Sequence, residues 1–574
     1  MGARRAAAAA AAALLLAAAP LVAQHEGHGH GEDAASAAAA TPVPLYAGLG
    51  SAQRAVSGAS AEAQSYFDQG LRWMHAFNLE EAEASFREAL RRDPDCAMCA
   101  WGVAFSLGPH INLPALPERT VAAARAAAEA RRLADAAPGA ATDLERALVA
   151  AMARRYSDPA PATPEEQGAL DLAYAEAMRD VARRFPEDAE VRFLLAESLM
   201  DLHPWDLYAP ADGAPREWTA EIVSTIEAGL GLDPRHPGLH HLYIHAVEAS
   251  NAPERAVPSA DFLRRAMPDA AHVVHMPAHI DVRMGRYDEA ARANERAIAV
   301  DGSYLGKASP NVAFYKMIYA PHNLDFLATA AGMEGRSAAT LLAARALQPH
   351  LDVEMLRQMP GFDFLLGRAA WTLLRFGRYA EVLAEPPPPA DFPYAVAAAH
   401  AARGLALLRL GRADEAAAEA VAMRAAAAAI PEGAAEGLNA AAALVRIPVG
   451  LLEGELAIAR GEVDAGLAQL TGAVAAEDAL RYNEPSDWHF PARHLVGPSL
   501  LRLGRDAEAE ALFRADLARH RGNGWALAGL IAALERQGKT AEAAALRPEL
   551  EKAWAGADLG LERLVALPAS APAG

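Results

Sequence analysis

One spacing governs what this chain can fold into. In "YFDQGLRWMHAFNLEEAEASFREALRRDP", Gly70, Ala82, Phe86, Ala89 and Pro94 occupy positions 8, 20, 24, 27 and 32 of a helix–turn–helix repeat. The reason is steric: small residues let two helices approach, an aromatic fills the groove between them, and proline closes the second. The skeleton recurs. Ile222, Ile226, Gly229 and Pro234 are followed 34 residues later by Ala256, Ala260, Leu263 and Pro268, and after another 34 by Ala290, Asn294, Ala297 and Gly302. Fainter copies are marked by turn glycines Gly335, Gly377, Gly411, Gly461, Gly504 and Gly538. One such hairpin cannot bury its own apolar face, so the copies must stack. The expected fold class is all-α, a right-handed α-solenoid of roughly eight to ten helical hairpins.

Composition agrees. Aromatics make up 6% of the chain, and the 53% hydrophobic fraction is carried by alanine, which favours helix over sheet. Residues 1–23 read as a signal peptide: basic "MGARR", an Ala/Leu run, then the small-residue site "LVA" before Gln24. A periplasmic or secreted location is therefore expected. Residues 24–59, with His25, His28 and His30, are poor in bulky apolar side chains and are expected to form a disordered tail. No later apolar run reaches the length of about 20 residues that a membrane span needs.

A formal charge of −20 disfavours nucleic acid as a partner and suits cations, metals or basic peptides. Three Pro/Gly/Asp-rich stretches, "YSDPAPATPEEQ", "DLHPWDLYAPADGAP" and "DGSYLGKASPNVAF", are expected to loop out. "EPPPPADFP" (385–393) is a stiff break, so the expected division is a solenoid over 60–385, a second over 394–560, and a tail over 561–574. Cys96 and Cys99 are the two cysteines, and an exported pair can form a disulfide, exchange thiols or ligate metal. No histidine follows Cys99, which excludes a C-x-x-C-H haem attachment.

The repeat puts histidines in phase. "HVVHMPAHI" supplies His272, His275 and His279, and 34 residues before the last two lie His241 and His245, with Glu248 three beyond. Residues three and four apart share a helix face. Neighbouring helices pack about 8–10 Å apart, so imidazoles from both can meet around one ion. Neutral imidazole with one carboxylate suits Cu, Zn or Fe, and the lack of a nearby cysteine disfavours a purely structural zinc site. The chain has no H-E-x-x-H, no Walker A loop, no dinucleotide fingerprint and no G-x-S-x-G elbow.

The skeleton resembles tetratricopeptide repeat (TPR) proteins over most of residues 60–550. The whole chain resembles a group of exported bacterial TPR proteins through "HAFNLEEAEASFREALRRDPDCAMCAWGVAFSLGPHIN", "VHMPAHIDVRMGRYDEAARAN", "YAPHNLDF" and "EPSDWHFPARHLVGPSLLRLGRDAEAEALFRADLARHRGNGWAL". The common "GPNIN" form reads "GPHIN" here, so His110 is a departure. The resemblance implies that positions 2, 5, 9, 12 and 13 of each first helix line a concave groove. His272, His275 and His279 index to 2, 5 and 9, His241 and His245 to 5 and 9, Glu248 to 12 and Arg283 to 13. His322 and Asp325 index to 2 and 5, and His494 to 5.

The expected metal set is His241, His245, Glu248, His272, His275, His279 and His322, and the expected ligand-groove set is Arg283, Asp325 and His494. Trp73, Trp101, Trp371 and Trp525 are expected to fill grooves between repeats, and "WHFPARH" and "NGWAL" to shape a ligand pocket. Three uses stay open. The first is an exported scaffold binding a protein, peptide or small ligand in the groove around a histidine-held transition metal. The second is a metal-dependent enzyme with Glu248 or Asp325 as ligand or base, and the third an interaction scaffold with structural histidines.

Overall fold

Helix starts are written into the sequence as caps. Ser60 opens α1 (Ala61–His75) by accepting the Ala63 N–H, and Asn78 opens α2 (Leu79–Arg92) by accepting that of Glu81. Further on, α3 is Ala97–Ser106 and α4 is Pro117–Ala134. Thr142 and Glu145 form a capping box on α5 (Asp143–Met152), and α6 (Pro164–Arg184) and α7 (Ala189–Asp201) follow. This computed structural model describes residues 43–210, 212–306, 312–358 and 361–560. The expected signal peptide, His25, His28, His30 and the tail over 561–574 lie outside the described residues.

The chain divides into two units, one of 43–209, 213–280 and 296–320, the other chiefly of 281–295 and 321–560. The proline run at 385–393 was the expected boundary, but it falls inside the second unit. Both units are built from helical hairpins, and the described chain is all-α apart from a short hairpin pairing Ala435–Glu436 with Asn439–Ala440 and the isolated bridges His110–Leu113 and Tyr208–Pro215. No described helix is long and apolar enough to cross a membrane.

In the first unit the 34-residue period is plain. Helix α8 (Thr219–Leu232) leads to α9 (Pro237–Val247), then α10 (Val257–Ala266), and the next first helix begins at Ala271, 34 residues after Pro237. That helix is interrupted at Met276 into α11 (Ala271–His275) and α12 (Pro277–Arg283), because Pro277 has no N–H to continue the ladder. Next come α13 (Tyr287–Leu305) and α14 (Ala320–Met333). Residues 43–59, assigned to a disordered tail by composition, instead lie along α1. Tyr46 N–H donates to Gln69 Oε1 at 2.8 Å, Arg72 Nε donates to the Ala52 carbonyl at 2.7 Å, and Leu49 is buried. Cys96 and Cys99 are joined as a disulfide at the start of α3, both buried.

The same packing device appears in each unit. Phe86 of α2 is wedged between Gly70 of α1 and Gly102 of α3, where an added Cβ would stand 2.6 and 2.4 Å from its ring. In the second unit, Phe513 of α25 (Asp506–Arg519) is wedged between Gly497 of α24 (Arg493–Arg502) and Gly529 of α26 (Gly524–Arg536), at 2.3 and 2.2 Å. Between α14 and α24 run α15 (Ser337–Ala346), α16 (Val353–Gln358), α17 (Arg368–Arg375), α18 (Tyr379–Ala384), α19 (Pro393–Arg409), α20 (Ala413–Ala428), α21 (Ala441–Leu444), α22 (Arg446–Ala459) and α23 (Val463–Asp478). The last helix is α27 (Thr540–Ala553). The expected turn glycines Gly335, Gly377, Gly411, Gly461, Gly504 and Gly538 each sit two residues past a helix end at positive φ, the place a left-handed C-terminal cap requires.

Candidate metal centre

The in-phase histidines come together in the first unit, but not on an open groove. His241, His245, His272, His275 and His279 are all buried, none more than 3% exposed. The groove-facing expectation fails because other elements cover them. From the turn between α1 and α2, the Phe77 ring lies 4.2 Å from that of His241 and stacks on His245 at 5.9 Å. From the 202–216 insertion, Trp205 meets His245 edge-on at 5.3 Å, and Tyr319 lies 4.3 Å from His272.

Phe77 (φ 58°) and Trp205 (φ 57°) are the non-glycine residues with positive φ among the described residues. A left-handed backbone costs a bulky residue roughly 1–2 kcal/mol. Both such residues spend that strain on placing a ring against His245.

Hydrogen bonds assign the tautomers. His241 Nδ1 lies 2.8 Å from the His75 carbonyl oxygen, an acceptor only, so Nδ1 carries the proton. His245 Nδ1 and His279 Nδ1 lie 2.9 and 2.6 Å from the two oxygens of Glu248, so they too are protonated there. The Nε2 atoms of His241 and His245 are therefore lone pairs, and both are buried without a hydrogen-bond partner. His279 Nε2, likewise a lone pair, faces His275 Nε2 at 2.8 Å. One ligand atom from each of His241, His245 and His272 lies within 4.8 Å of the others. Nitrogens sharing a tetrahedral ion stand about 3.4 Å apart, inside that bound.

Charge follows from burial. Burial pushes His241 well below the ordinary imidazole range, with His245 adding to the effect. Burial likewise lowers His245, against the pull of Glu248. Burial alone would raise the Glu248 carboxyl, but His279 and His245 together hold it well below the usual range. Glu248 was expected as a metal ligand or base. In the structure both its oxygens orient imidazoles, the role a carboxylate plays behind metal-bound histidine.

A second group, His75, Glu190 and His236, also brings ligand atoms together. His236 Nδ1 accepts the Leu239 N–H at 3.1 Å, so its proton sits on Nε2 and is given to Glu190 at 3.1 Å. His236, with its lone pair so used, has none left for an ion at Nε2, and Glu190 takes both its proton and that of His75 Nε2, 3.1 Å away. His240 is satisfied at both nitrogens, by Ser259 Oγ at 2.8 Å and the Pro234 carbonyl at 3.0 Å.

His322 and Asp325 belong to the second unit, on α14. The His322 ring packs edge-on against Phe326 at 5.6 Å, and Asp325 is ion-paired with Arg368, its carboxyl raised by burial despite that arginine. Arg283 lies over the Tyr482 ring at 5.2 Å. His494, pushed down to about 4 by burial, bonds Asp516 at 2.9 Å. Asp325 and His494 are buried, so neither lines an open groove.

The spacing of histidines did not reveal Phe77, Trp205, Tyr319 or the His75 carbonyl. For Phe77 a signal existed: "HAFNLEEA" places it where "RMGRYDEA" and its counterparts place the turn glycine.

No family model matches the chain, and no curated protein matches it. Solved structures that do are TPR-type helical repeat proteins. The human IFIT1 dimer with m7Gppp-AAAA shares 11% identity over 84% of this chain and 88% of that chain, with a TM-score of 0.30. The APC/C hetero-tetramer Cut9–Hcn1 shares 11% over 89% and 76%, at 0.30. Yeast Tom70 shares 11% over 85% and 90%, at 0.28.

Proposed function

We propose that this chain is an exported TPR-type binding protein whose first unit holds one transition-metal ion, Cu, Zn or Fe, on His241, His245 and His272. One observation carries the reading: two neighbouring imidazoles keep buried Nε2 lone pairs without a partner while their Nδ1 protons are locked. A buried polar atom left unpaired costs about 1–3 kcal/mol, a cost that His240 avoids by bonding at both nitrogens. Neutral imidazoles suit these metals, and Glu248 and the His75 carbonyl supply the outer support. Three protein ligands leave a fourth position on a tetrahedral ion, so a small ligand suits this enclosed centre better than a peptide along a groove.

The test is metal analysis of the protein purified without chelators, beside a His241→Ala/His245→Ala double variant and a His240→Ala control. About one ion per chain is expected in the wild type and in the control, and little in the double variant. Equal content in wild type and double variant, or none in either after incubation with each metal, sinks the reading. Export is tested by N-terminal sequencing of the mature protein, which should begin at Gln24.

A further inference from the structure

The second unit encloses a small polar space that the metal reading leaves unused. Thr329 of α14, Arg368, Trp371 and Arg375 of α17, and His489 before α24 line it, and it admits about one water-sized body. Thr329 Oγ1, Arg368 Nε, Trp371 Nε1 and Arg375 Nε are all buried without a hydrogen-bond partner. Each of these atoms carries a proton to donate. His489 Nε2 is buried and unpartnered beside them.

The charges say what kind of acceptor would suit them. Arg368 is ion-paired with Asp325, a residue that does not border the space. Arg375 has no carboxylate partner: its side chain donates to Met333 Sδ at 3.4 Å and His494 Nδ1 at 3.3 Å, and it lies over the rings of Trp525 and Phe490 at 4.7 and 5.2 Å. Arg375 reaches Asp516 only through His494, whose Nε2 bonds that carboxylate at 2.9 Å. Burial brings Arg375 down to about 9, against Asp516 and Tyr287. One guanidinium charge thus remains to be matched, among donors that lack an acceptor.

We infer that this space holds one monatomic, monovalent anion of about the size of a water, chloride being the natural case, on the N–H and O–H groups of Arg375, Arg368 and Thr329. Size excludes a polyatomic anion such as sulfate or a carboxylate, which would not fit where a single water does. Charge favours a halide over water. A water brings protons that need acceptors of their own and leaves Arg375 uncompensated, whereas a halide accepts from every donor and supplies one negative charge.

The test is the chloride-35 NMR linewidth of the full chain, titrated with sodium chloride at constant ionic strength in sodium gluconate. The protein is expected to broaden the line saturably, with half-saturation at about 50 mM or below; bromide should reverse the broadening and sulfate should not. Arg375→Met should fold as well as wild type, because it replaces an unpaired buried charge with an apolar side chain, and should bind chloride at least about 10-fold more weakly. Should that variant fail to fold, Thr329→Val carries the test: it keeps the shape, removes one donor, and should weaken chloride about 3- to 10-fold. Both substitutions lie in the second unit, so loss of the signal in them separates this site from any ion on His241, His245 and His272. No saturable broadening up to about 200 mM chloride, reversal by sulfate as effective as by bromide, or unchanged affinity in the variants that fold overturns the inference.

Discussion

His241 gives its Nδ1 proton to the carbonyl oxygen of His75, 2.8 Å away and 166 residues earlier in the chain. That carbonyl belongs to the last residue of α1, two before Phe77, whose left-handed backbone turns the chain into α2. Asn78 N–H returns to the Trp73 carbonyl at 3.0 Å, which makes the turn a left-handed C-terminal cap. The equivalent place in the later turns is Gly285, Gly335, Gly377 and their counterparts. One strained turn thus both orients a candidate ligand and lays an aromatic ring on its neighbours.

Glycine should therefore serve the backbone at position 77 better than alanine. Phe77→Gly and Phe77→Ala both lose the ring and should both destabilise, by about 3–5 kcal/mol for the alanine variant. The glycine variant should be the more stable of the two by about 1 kcal/mol, the reverse of the order inside a helix. Denaturant unfolding of the pair measures this, and alanine equal to glycine would remove the claim of strain.

Glu248 acts through the imidazoles it holds. Glu248→Gln can accept from one Nδ1–H, but its amide N–H₂ then opposes the other, so His245 or His279 must turn. Metal affinity is expected to fall about 10- to 100-fold with the stoichiometry kept at saturation, as measured by competition with a chelator. Unchanged affinity would take Glu248 out of this role.

Glycines of two kinds should respond in opposite directions. Gly529 meets the Phe513 ring, and Gly529→Ala should cost about 1–3 kcal/mol through overpacking. Gly472 lies inside α23 with nothing within 4 Å of an added Cβ, and Gly472→Ala should stabilise by about 0.5–1 kcal/mol. Thermal melting of both variants checks the pair.

The repeat was legible because it rests on local sterics: Gly70, Phe86 and Pro94 act through neighbours within one hairpin, and the turn glycines act on their own backbone. The pairing of His241 and His245 with the histidines around Met276 was legible for the same reason, since a fixed period puts them in register. Their burial was not. It depends on Phe77, on the His75 carbonyl and on Trp205 in an irregular insertion, contacts between distant parts of the chain that no periodicity encodes. Glu248 was found but misread, because its share in two hydrogen bonds is a property of side-chain direction rather than spacing.

Stability should depend on pH through Glu477, in the last turn of α23. Its Oε2 accepts the Ala492 N–H at 2.9 Å, and the side chain is buried. Burial raises this carboxyl to about 7, Asp516 adds to the rise, and His520, the Ala492 N–H and Arg493 oppose it. The folded state therefore holds the proton more tightly than the unfolded chain. The stability this proton contributes is fully present below the ordinary carboxyl value of 4.5 and is lost as pH rises through about 7. A difference of that size corresponds to at most about 3 kcal/mol. Glu477→Gln keeps the acceptor for Ala492 and removes the titration. Near pH 4 the variant should match the wild type, and near pH 8 it should be more stable by up to about 3 kcal/mol. Urea unfolding of both proteins across that range gives the difference directly, and parallel curves would show that Glu477 does not titrate there.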